Sequence, residues 1–414
     1  MELQAGSLTP RQLSHLAHFA SVVSFERAAK FLMQHHGVQV SASTSRRQTE
    51  SLGVSAEAVQ NEQAKEIEKQ ESGSSGREPF SAKNMKQVVS SDGSYIRLRG
   101  KVFAEVKTAV VGEVQENSKR SSSRPDQEVK MTNITYFSRM TDAQTFTELA
   151  SGEIARRGIF QAKKVGGVSD GAEWIQHFID AYREDAVRIL DFYHVRQYLS
   201  DIVTLVRNAG TALRESWLDD QLHELKHFGP RKVLEEVNRL LRDHPYIEEL
   251  KQAAHYLQKR EKMMQYPLFR AEGWPIGSGS VESANTHVVQ SRMDGPGMHW
   301  ESRNVNPMLA LRTGECNDRW GETRKQAFRH RLQTRLSTRL SRQKKRYEEL
   351  KQKVEEDILH LIFSYYLYKP KTTTIPSIPC SSELVPLSTC IPETKNTCHP
   401  APSHPWRRYS LAKK

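Results

Sequence analysis

The stretch between residues 165 and 194, VGGVSDGAEWIQHFIDAYREDAVRILDFYH, constrains the fold more strongly than any other part of the chain. Residues 165–168 and 187–190 are short apolar runs, as expected for two buried strands. Between them, apolar residues recur at helical spacing from residue 172 to residue 184, and Asp170 stands where a helix N-cap would be. Two strands joined by about a dozen helical residues predict a parallel βαβ unit.

Both predicted strands end next to residues that can take part in chemistry. Asp170 follows the first strand, Asp191 follows the second, and His194 lies shortly after Asp191. In parallel α/β units, functional residues gather at the carboxyl ends of the strands. These three side chains are therefore candidates for one functional site.

Three further segments upstream have the residue pattern of β-strands. They cover residues 86–98, 102–114 and 134–140, and a turn at residues 99–101 joins the first two into an antiparallel pair. A helix is predicted over residues 142–158, between the third strand and the βαβ unit. The order strand, strand, strand, helix, strand, helix, strand is that of a ribonuclease H-like core, a mixed five-stranded α/β sheet with helices.

Composition divides the chain into several regions around this core. We predict a helical DNA-binding region over 1–60, a polar linker over 61–83, the first part of the core over 84–194, an all-helical insertion over 195–270, the C-terminal part of the core over 271–325, a basic helical region over 326–368 and a low-complexity, disordered tail over 369–414.

The N-terminal region has the outline of a helix-turn-helix. An apolar face in FERAAKFLMQHHG predicts one helix that stops at Gly37, and Ser41 or Ser43 is placed to cap a second helix. The second helix would expose Arg46 and Arg47 to DNA phosphates. A small three-helix bundle without DNA-binding function has the same outline, so both interpretations stay open.

The charge balance favours a polyanionic partner. The formal net charge is +12, although solubility alone could explain such an excess. Arg331, Arg335 and Arg339 recur every four residues in a basic stretch, which predicts either a phosphate-binding ridge or a solvated helix. We expect no membrane span and no signal peptide. The cysteines form neither a disulfide framework nor a zinc site, which favours the cytoplasm; they are Cys316, Cys380, Cys390 and Cys398.

Three distant acids could share one metal site. Asp92 lies in the first predicted strand, Asp170 ends the fourth, and Glu282 falls in the first turn of a helix after the Gly-rich loop GSGS. Singly, a hairpin turn, an N-cap and a favourable helix-end charge explain them. Together they would face one cleft and hold two Mg²⁺ or Mn²⁺ ions, which suit the hydrolysis and transfer of phosphodiesters.

At these residues the chain resembles a known family. The motifs SDGSYIRLRGKVFAEVKTAVVGEV, SDGAEWI, ILDFYHV, GWPIGSGSVESAN, GMHW, NVNPMLALR and CNDRW are together similar to those of bacterial insertion-sequence transposases of the Kra group. These are DDE transposases, related to Mutator-like transposases, with a ribonuclease H-like core. The resemblance makes Asp92, Asp170 and Glu282 the catalytic acids, with Asp191 and His194 as the Asp-x-x-His signature. Asp191 stays an alternative to Asp170 as the second catalytic aspartate.

The resemblance implies a transposase that binds the ends of its own mobile element, cleaves there and transfers the strand to target DNA. We expect double-stranded DNA and a second copy of the chain as partners, with no membrane and no small-molecule substrate. The expected location is the bacterial cytoplasm at the nucleoid. The alternatives are another ribonuclease H-like nuclease, such as a junction resolvase, or a catalytically inactive transposase derivative that only binds DNA.

Overall fold

The computed structural model describes residues 8–73, 86–115, 129, 131–277 and 279–368, without the side chains of residues 70–73. The end of the predicted linker and the whole predicted tail at 369–414 therefore lie outside the described residues. The chain falls into two compact units, Met1–Arg342 and Gln343–Lys414. The sheet and all candidate acids belong to the first unit.

The first unit is built on a five-stranded mixed sheet. Its strands are β1 (Lys86–Arg97), β2 (Phe103–Val114), β3 (Met131–Arg139), β4 (Lys164–Ser169) and β5 (Val187–Leu190). Their order across the sheet is β3-β2-β1-β4-β5. The first three strands form an antiparallel meander, whereas β4 pairs parallel with β1 and β5 parallel with β4. The mixed α/β class and the predicted order of strands and helices are confirmed.

Helices cover both faces of this sheet. On one face, α4 (Ala143–Arg156) and α5 (Glu173–Asp180) pack an apolar cluster that contains Phe146 and Phe178. Asp142 caps α4 by accepting a hydrogen bond from the backbone N–H of Thr145. Helix α5 is shorter than the predicted helix over 172–184, because a turn and β5 follow it directly.

Two glycines in β4 allow side chains on both faces of the sheet to pack close against this strand. A Cβ on Gly166 would lie 2.9 Å from the ring of the buried Trp274, and one on Gly167 would lie 2.6 Å from Ile179. Any larger side chain would therefore push the layers apart. The VGGV run is a strand packed tightly on both sides, as its short apolar pattern predicts.

The segment predicted as an all-helical insertion, residues 195–270, consists of helices that pack on the opposite face of the sheet. It comprises α6 (Phe192–Asn208), α7 (Trp217–His227), α8 (Arg231–Asp243), α9 (Glu248–Lys259) and α10 (Tyr266–Ala271). The buried side chains of these helices form one cluster with Val88 of β1 and Val168 of β4. The insertion thus shares its core with the sheet, which fixes α6 and α9 relative to the ends of the strands.

After the insertion, the chain continues on the face of the sheet that the insertion covers. Helix α11 (Gly279–Ala284) continues through a π-helical turn, Asn285–Gln290, into the short helix α12 (Ser291–Met293). Val281 and Ala284 pack on Val110 of β2. After this come α13 (Ser302–Cys316) and the long helix α14 (Trp320–Leu367).

The N-terminal region differs from the predicted compact helix-turn-helix followed by a linker. Its helices are α1 (Pro10–Val22), α2 (Phe25–His36) and α3 (Ala42–Gly73), and α3 is one helix of 32 residues. Gly37 ends α2 in the left-handed conformation, and the Ser41 hydroxyl accepts a hydrogen bond from Thr44, as predicted. The linker prediction was wrong for residues 61–73, which are helical. Polar composition concealed a buried stripe that packs against α13 through Leu52 and Ala56 and, within 61–73, against α4 through Ala64.

In the part of the chain that the structure describes, no helix is both long enough and apolar enough to cross a membrane.

Candidate active site

The parallel pairing of β1 and β4 aligns the first two acids. Ser90 pairs with Val168, a separation of 78 positions, and the same register carried two residues further would pair Asp92 with Asp170. Because side chains alternate along a strand, Asp92 is on the face of Val88, which belongs to the apolar cluster shared with the insertion. Asp170 is the first residue after β4, and its charge raises the pKa of Asp92, so the two carboxylates lie near each other.

Asp92 lies inside a continuous strand and not in a hairpin turn. β1 runs unbroken from Lys86 to Arg97, and Asp92 pairs with Thr108 of β2. Its Oδ1 accepts a hydrogen bond of 2.7 Å from the Gly93 backbone, and its Oδ2 accepts one of 2.9 Å from the side-chain amide of Asn285. The local explanation of Asp92 as a turn residue is therefore wrong.

Several of the other candidate residues lie close enough to Asp92 to change its pKa. Burial raises the pKa of Asp92, with further increases from the charges of Asp170 and Glu282. The Gly93 hydrogen bond and nearby His194 lower the same pKa. Three predicted site residues, Asp170, Glu282 and His194, thus act electrostatically on Asp92 although all are far from it in sequence.

Asp170 shapes the turn after β4 but is not the N-cap predicted for it. Residue Ala172 stands at the N-cap of α5, and Asp170 Oδ1 accepts a hydrogen bond of 2.8 Å from its backbone N–H. Gly171 has φ of +82°, a conformation that favours glycine. The Asp-Gly pair therefore ends the strand in a tight turn, with one carboxylate oxygen directed at the backbone.

One residue of α9, Tyr256, and the residue after this helix, Arg260, hold the turn in place, and neither was singled out from sequence. The Tyr256 hydroxyl donates a short hydrogen bond to the backbone carbonyl of Asp170. Arg260 donates to the carbonyl of Gly171 through Nη2 at 2.7 Å and Nε at 3.1 Å, and its guanidinium lies 3.7 Å from the centre of the Tyr256 ring. Tyr198 stacks on Tyr256, with ring centres 4.1 Å apart. No local sequence signal links these residues to Asp170.

Asp191 caps α6 and is 3% exposed. Its Oδ1 accepts a hydrogen bond of 2.8 Å from the Tyr193 backbone, and its backbone N–H donates to the carbonyl of Ser169 beside Asp170. His194 is half-buried and lies edge-on to Tyr198, with ring centres 5.2 Å apart. The acids whose charges raise the pKa of Asp92 are Asp170 and Glu282, which favours Asp170 over Asp191 as the acid that faces the cleft.

Glu282 is exposed in the first turn of α11, the helix that packs on β1 and β2. Three residues later, the fully buried Asn285 begins the π-helical turn and reaches Asp92. The buried Arg312 of α13 supports this turn, because it donates hydrogen bonds to the carbonyls of His287 and Val288. π-Helical turns often mark functional sites, and here the turn connects one candidate acid to another.

The donor chemistry of this site fits divalent metal ions. Asp92, Asp170 and Glu282 supply only carboxylate oxygens, which Mg²⁺ and Mn²⁺ prefer, and their mutual repulsion favours a cation between them. Within the described residues, however, no three His, Cys, Asp or Glu side chains are grouped so that they could hold one metal ion.

A group of arginines surrounds Glu50 on α3. Burial raises the pKa of Glu50, whereas the nearby charges of Arg46, Arg303, Arg292 and Arg99 lower it. Arg46, Arg47, Arg99 and Arg303 are exposed, whereas Arg292 is buried. The predicted pair Arg46 and Arg47 therefore has exposed basic neighbours from the β1–β2 connection and from α13. Sequence reasoning missed Arg99 and Arg303 because only the folded chain brings them together.

The basic stretch near residue 330 is helical, as predicted. Arg335 and Arg339 are exposed on α14, whereas Arg331 is half-buried, and burial lowers its pKa. Leu332, Leu336 and Leu340 beside them are also exposed. A role of these arginines in DNA binding stays a prediction.

Neither a scan against models of known protein families nor a search of curated proteins found a match to this chain.

Proposed function

We propose that this chain is a DDE transposase of a bacterial insertion sequence, with a ribonuclease H-like core and sequence motifs similar to those of the Kra group. The observation that carries the proposal is that the parallel pairing of β1 with β4 and the packing of α11 on the sheet bring the charges of Asp170 and Glu282 to Asp92. Local turn and cap requirements do not explain why two acids so far from Asp92 in sequence act on it. A shared task at a phosphodiester does.

The strand order and directions also support the proposed core. A meander of three antiparallel strands extended by two parallel strands through helical crossovers is the arrangement expected for a ribonuclease H-like fold. The net charge of +12 and the exposed arginines on α3 and α14 suit double-stranded DNA as substrate. We place the enzyme in the bacterial cytoplasm, at the nucleoid, acting on DNA as a homo-oligomer.

In this mechanism the protein positions the acids and the DNA. Bound Mg²⁺ or Mn²⁺ would activate the attacking hydroxyl and stabilise the leaving oxygen. Asp92, Asp170 and Glu282 would hold the ions, with Asn285 fixing one oxygen of Asp92 and the Tyr256–Arg260 pair fixing the Asp170 turn. Asp191 and His194 would support the site from the start of α6.

The deciding experiment compares charge-neutral variants on DNA carrying the inverted repeats that flank the coding region. Asp92→Asn, Asp170→Asn and Glu282→Gln should each abolish cleavage and strand transfer while DNA binding survives. Asp201→Asn is the matched control, because Asp201 is exposed on α6. In thermal unfolding, Mg²⁺ should stabilise the unaltered protein and the control more than the three variants.

The outcomes separate the proposal from its alternatives. Cleavage without strand transfer would favour another nuclease of this fold. Full activity in Asp92→Asn or Asp170→Asn would overturn the assignment of the acids. Metal-independent DNA binding with no cleavage by the unaltered protein would favour a DNA-binding protein derived from a transposase.

A further inference from the structure

Helix α14 presents a long exposed apolar stripe in the second unit. Between Lys344 and Leu367 its apolar side chains are between 49% and 74% exposed; they are Tyr347, Leu350, Val354, Ile358, Leu359, Leu361, Ile362, Phe363, Tyr365, Tyr366 and Leu367. Large apolar surfaces of this kind usually mark an interface.

The spacing of these residues is that of a helix–helix interface. Tyr347, Leu350, Val354, Ile358 and Leu361 follow one another at intervals of three or four residues, so they form a single stripe along the helix. Toward its end the helix becomes apolar on every side, in the run ILHLIF at 358–363. A helix of this composition is ordinarily covered by another element.

The charges beside the stripe identify what covers it. Residues 344–346 are Lys-Lys-Arg and residues 355–357 are Glu-Glu-Asp. The midpoint of 344–357 falls between Leu350 and Lys351. Glu348 and Lys353 lie at equal distances on either side of this midpoint. Read in the opposite direction, the basic residues 344–346 therefore take the place of the acidic residues 355–357, and Glu348 takes the place of Lys353.

We propose that a second copy of this chain docks on this stripe, with the two α14 helices antiparallel and related by a two-fold axis at the midpoint of 344–357. In this arrangement the basic block 344–346 of each copy faces the acidic block 355–357 of the other. Tyr347 packs near Val354 of the other copy, and the two Leu350 side chains meet at the axis. Each surface is its own complement, as a two-fold interface requires.

The charge pattern selects the antiparallel direction. Parallel helices in register would place the two basic blocks side by side and the two acidic blocks side by side, which is unfavourable. Within one helix, Lys345 lies 3.9 Å from Glu349 and Lys351 lies 3.8 Å from Glu355. These exposed pairs are weak, so the same side chains can contact a second copy at little cost.

Charge reversal of each block tests both the occupant and the direction. The full chain, without DNA, is examined by sedimentation equilibrium for the unaltered protein, for K344E/K345E/R346E, for E355K/E356K/D357K and for the variant that combines all six changes. We expect a dimer for the unaltered protein. Each single-block variant should raise the dimer dissociation constant by about tenfold or more, since several facing pairs then repel.

The combined variant should dimerise again, because its two blocks exchange sign and face each other with opposite charge. It also has the same net charge as the unaltered protein, so it controls for overall repulsion. A mixture of the two single-block variants should likewise form a heterodimer. All altered residues are exposed, and circular dichroism verifies that the helix content is unchanged.

Three results would overturn the proposal. A monomer at tens of micromolar would mean that no second copy docks here, as if a segment of the same chain covered the stripe. A dimer insensitive to both block reversals would place the interface elsewhere or make it parallel. Failure of the combined variant to dimerise would show that the blocks 344–346 and 355–357 do not pair between two copies.

Discussion

The side-chain amide of Asn285 donates a hydrogen bond of 2.9 Å to Oδ2 of Asp92. Asn285 is 4% exposed, and its own Oδ1 is buried without a hydrogen-bond partner. A buried amide oxygen without a partner is costly, so its placement next to a candidate catalytic acid calls for an explanation. We attribute it to a positioning role, in which Asn285 sets the orientation of the Asp92 carboxylate.

The first prediction concerns this amide. Asn285→Ala should lower the rate of DNA cleavage by about ten- to a hundredfold, because a hydrogen bond to a charged group is lost. Binding of the DNA ends should be unchanged, since Asn285 does not reach the surface. The neighbouring exposed residue provides the control variant, Thr286→Ala. Cleavage kinetics under single-turnover conditions separate the two effects, and equal rates for Asn285→Ala and the control would exclude the positioning role.

The second prediction concerns pH. The pKa of Asp92 is raised above its ordinary value of 3.8, mainly by burial, so the folded protein holds this proton more tightly than the unfolded chain does. The resulting stability is fully present below pH 3.8 and is lost as the pH rises through the raised pKa. Ionised Asp92 therefore weakens the fold at neutral pH.

Asp92→Asn should accordingly raise the melting temperature at pH 7 by roughly 1–3 °C above that of the unaltered protein. The two melting temperatures should converge at low pH, where Asp92 of the unaltered protein is protonated. A rotation of the Asn285 amide would let its free Oδ1 accept from the new side chain. Asp201→Asn on α6 is again the control. Melting curves recorded from pH 3 to pH 8 without divalent ions test this, and a constant difference across that range would contradict it.

The sheet could be predicted because its signals are local. Each strand carries its own apolar pattern, and the order of elements then fixes which strands are neighbours. The alignment of Asp92 with Asp170 followed from that order, since β4 must lie beside β1. The length of α3 could not be inferred in this way, because contacts with α13 stabilise a segment of polar composition.

The supporting residues of the site were invisible in the sequence for a related reason. Asn285 is 193 positions from Asp92, and Tyr256 is 86 positions from Asp170. Both contacts depend on how the insertion and α11 fold back onto the sheet, and neither residue type has a local pattern that distinguishes it from an ordinary helical residue. Asp170 and Asp191 have such a pattern, because each follows a short apolar strand.

The third prediction concerns DNA binding by α3. The double variant Arg46→Ala/Arg47→Ala should bind the element's ends more weakly. It should also reduce the slope of log K against log salt by about 2, because fewer counterions are released on binding when two phosphate contacts are lost. Arg99→Ala and Arg303→Ala should each have a smaller effect of the same kind, since these arginines share the Glu50 cluster with Arg46.

Arg214→Ala, an exposed arginine of the insertion, is the control for net charge. Band-shift titrations at several salt concentrations measure both affinity and slope. If the paired variant kept the affinity and the salt slope of the unaltered protein, the DNA-binding surface would have to lie elsewhere.

The fourth prediction concerns the turn that carries Asp170. Tyr256→Phe keeps the ring that stacks on Tyr198 and Arg260 but removes the hydroxyl that donates to the Asp170 carbonyl. Cleavage should fall by about tenfold, in line with the net value of one hydrogen bond, while DNA affinity and helix content stay the same.

Replacement of Arg260 should reduce cleavage further, and lysine should not restore it. A guanidinium donates to the Gly171 carbonyl from two nitrogens while lying flat on the Tyr256 ring, and an ammonium group cannot do both. The adjacent Lys259→Ala, which removes an exposed pair with Glu173, is the matched control. If Arg260→Lys cleaved DNA as fast as the control, the charge alone would suffice, and the guanidinium would have no special part in holding Asp170.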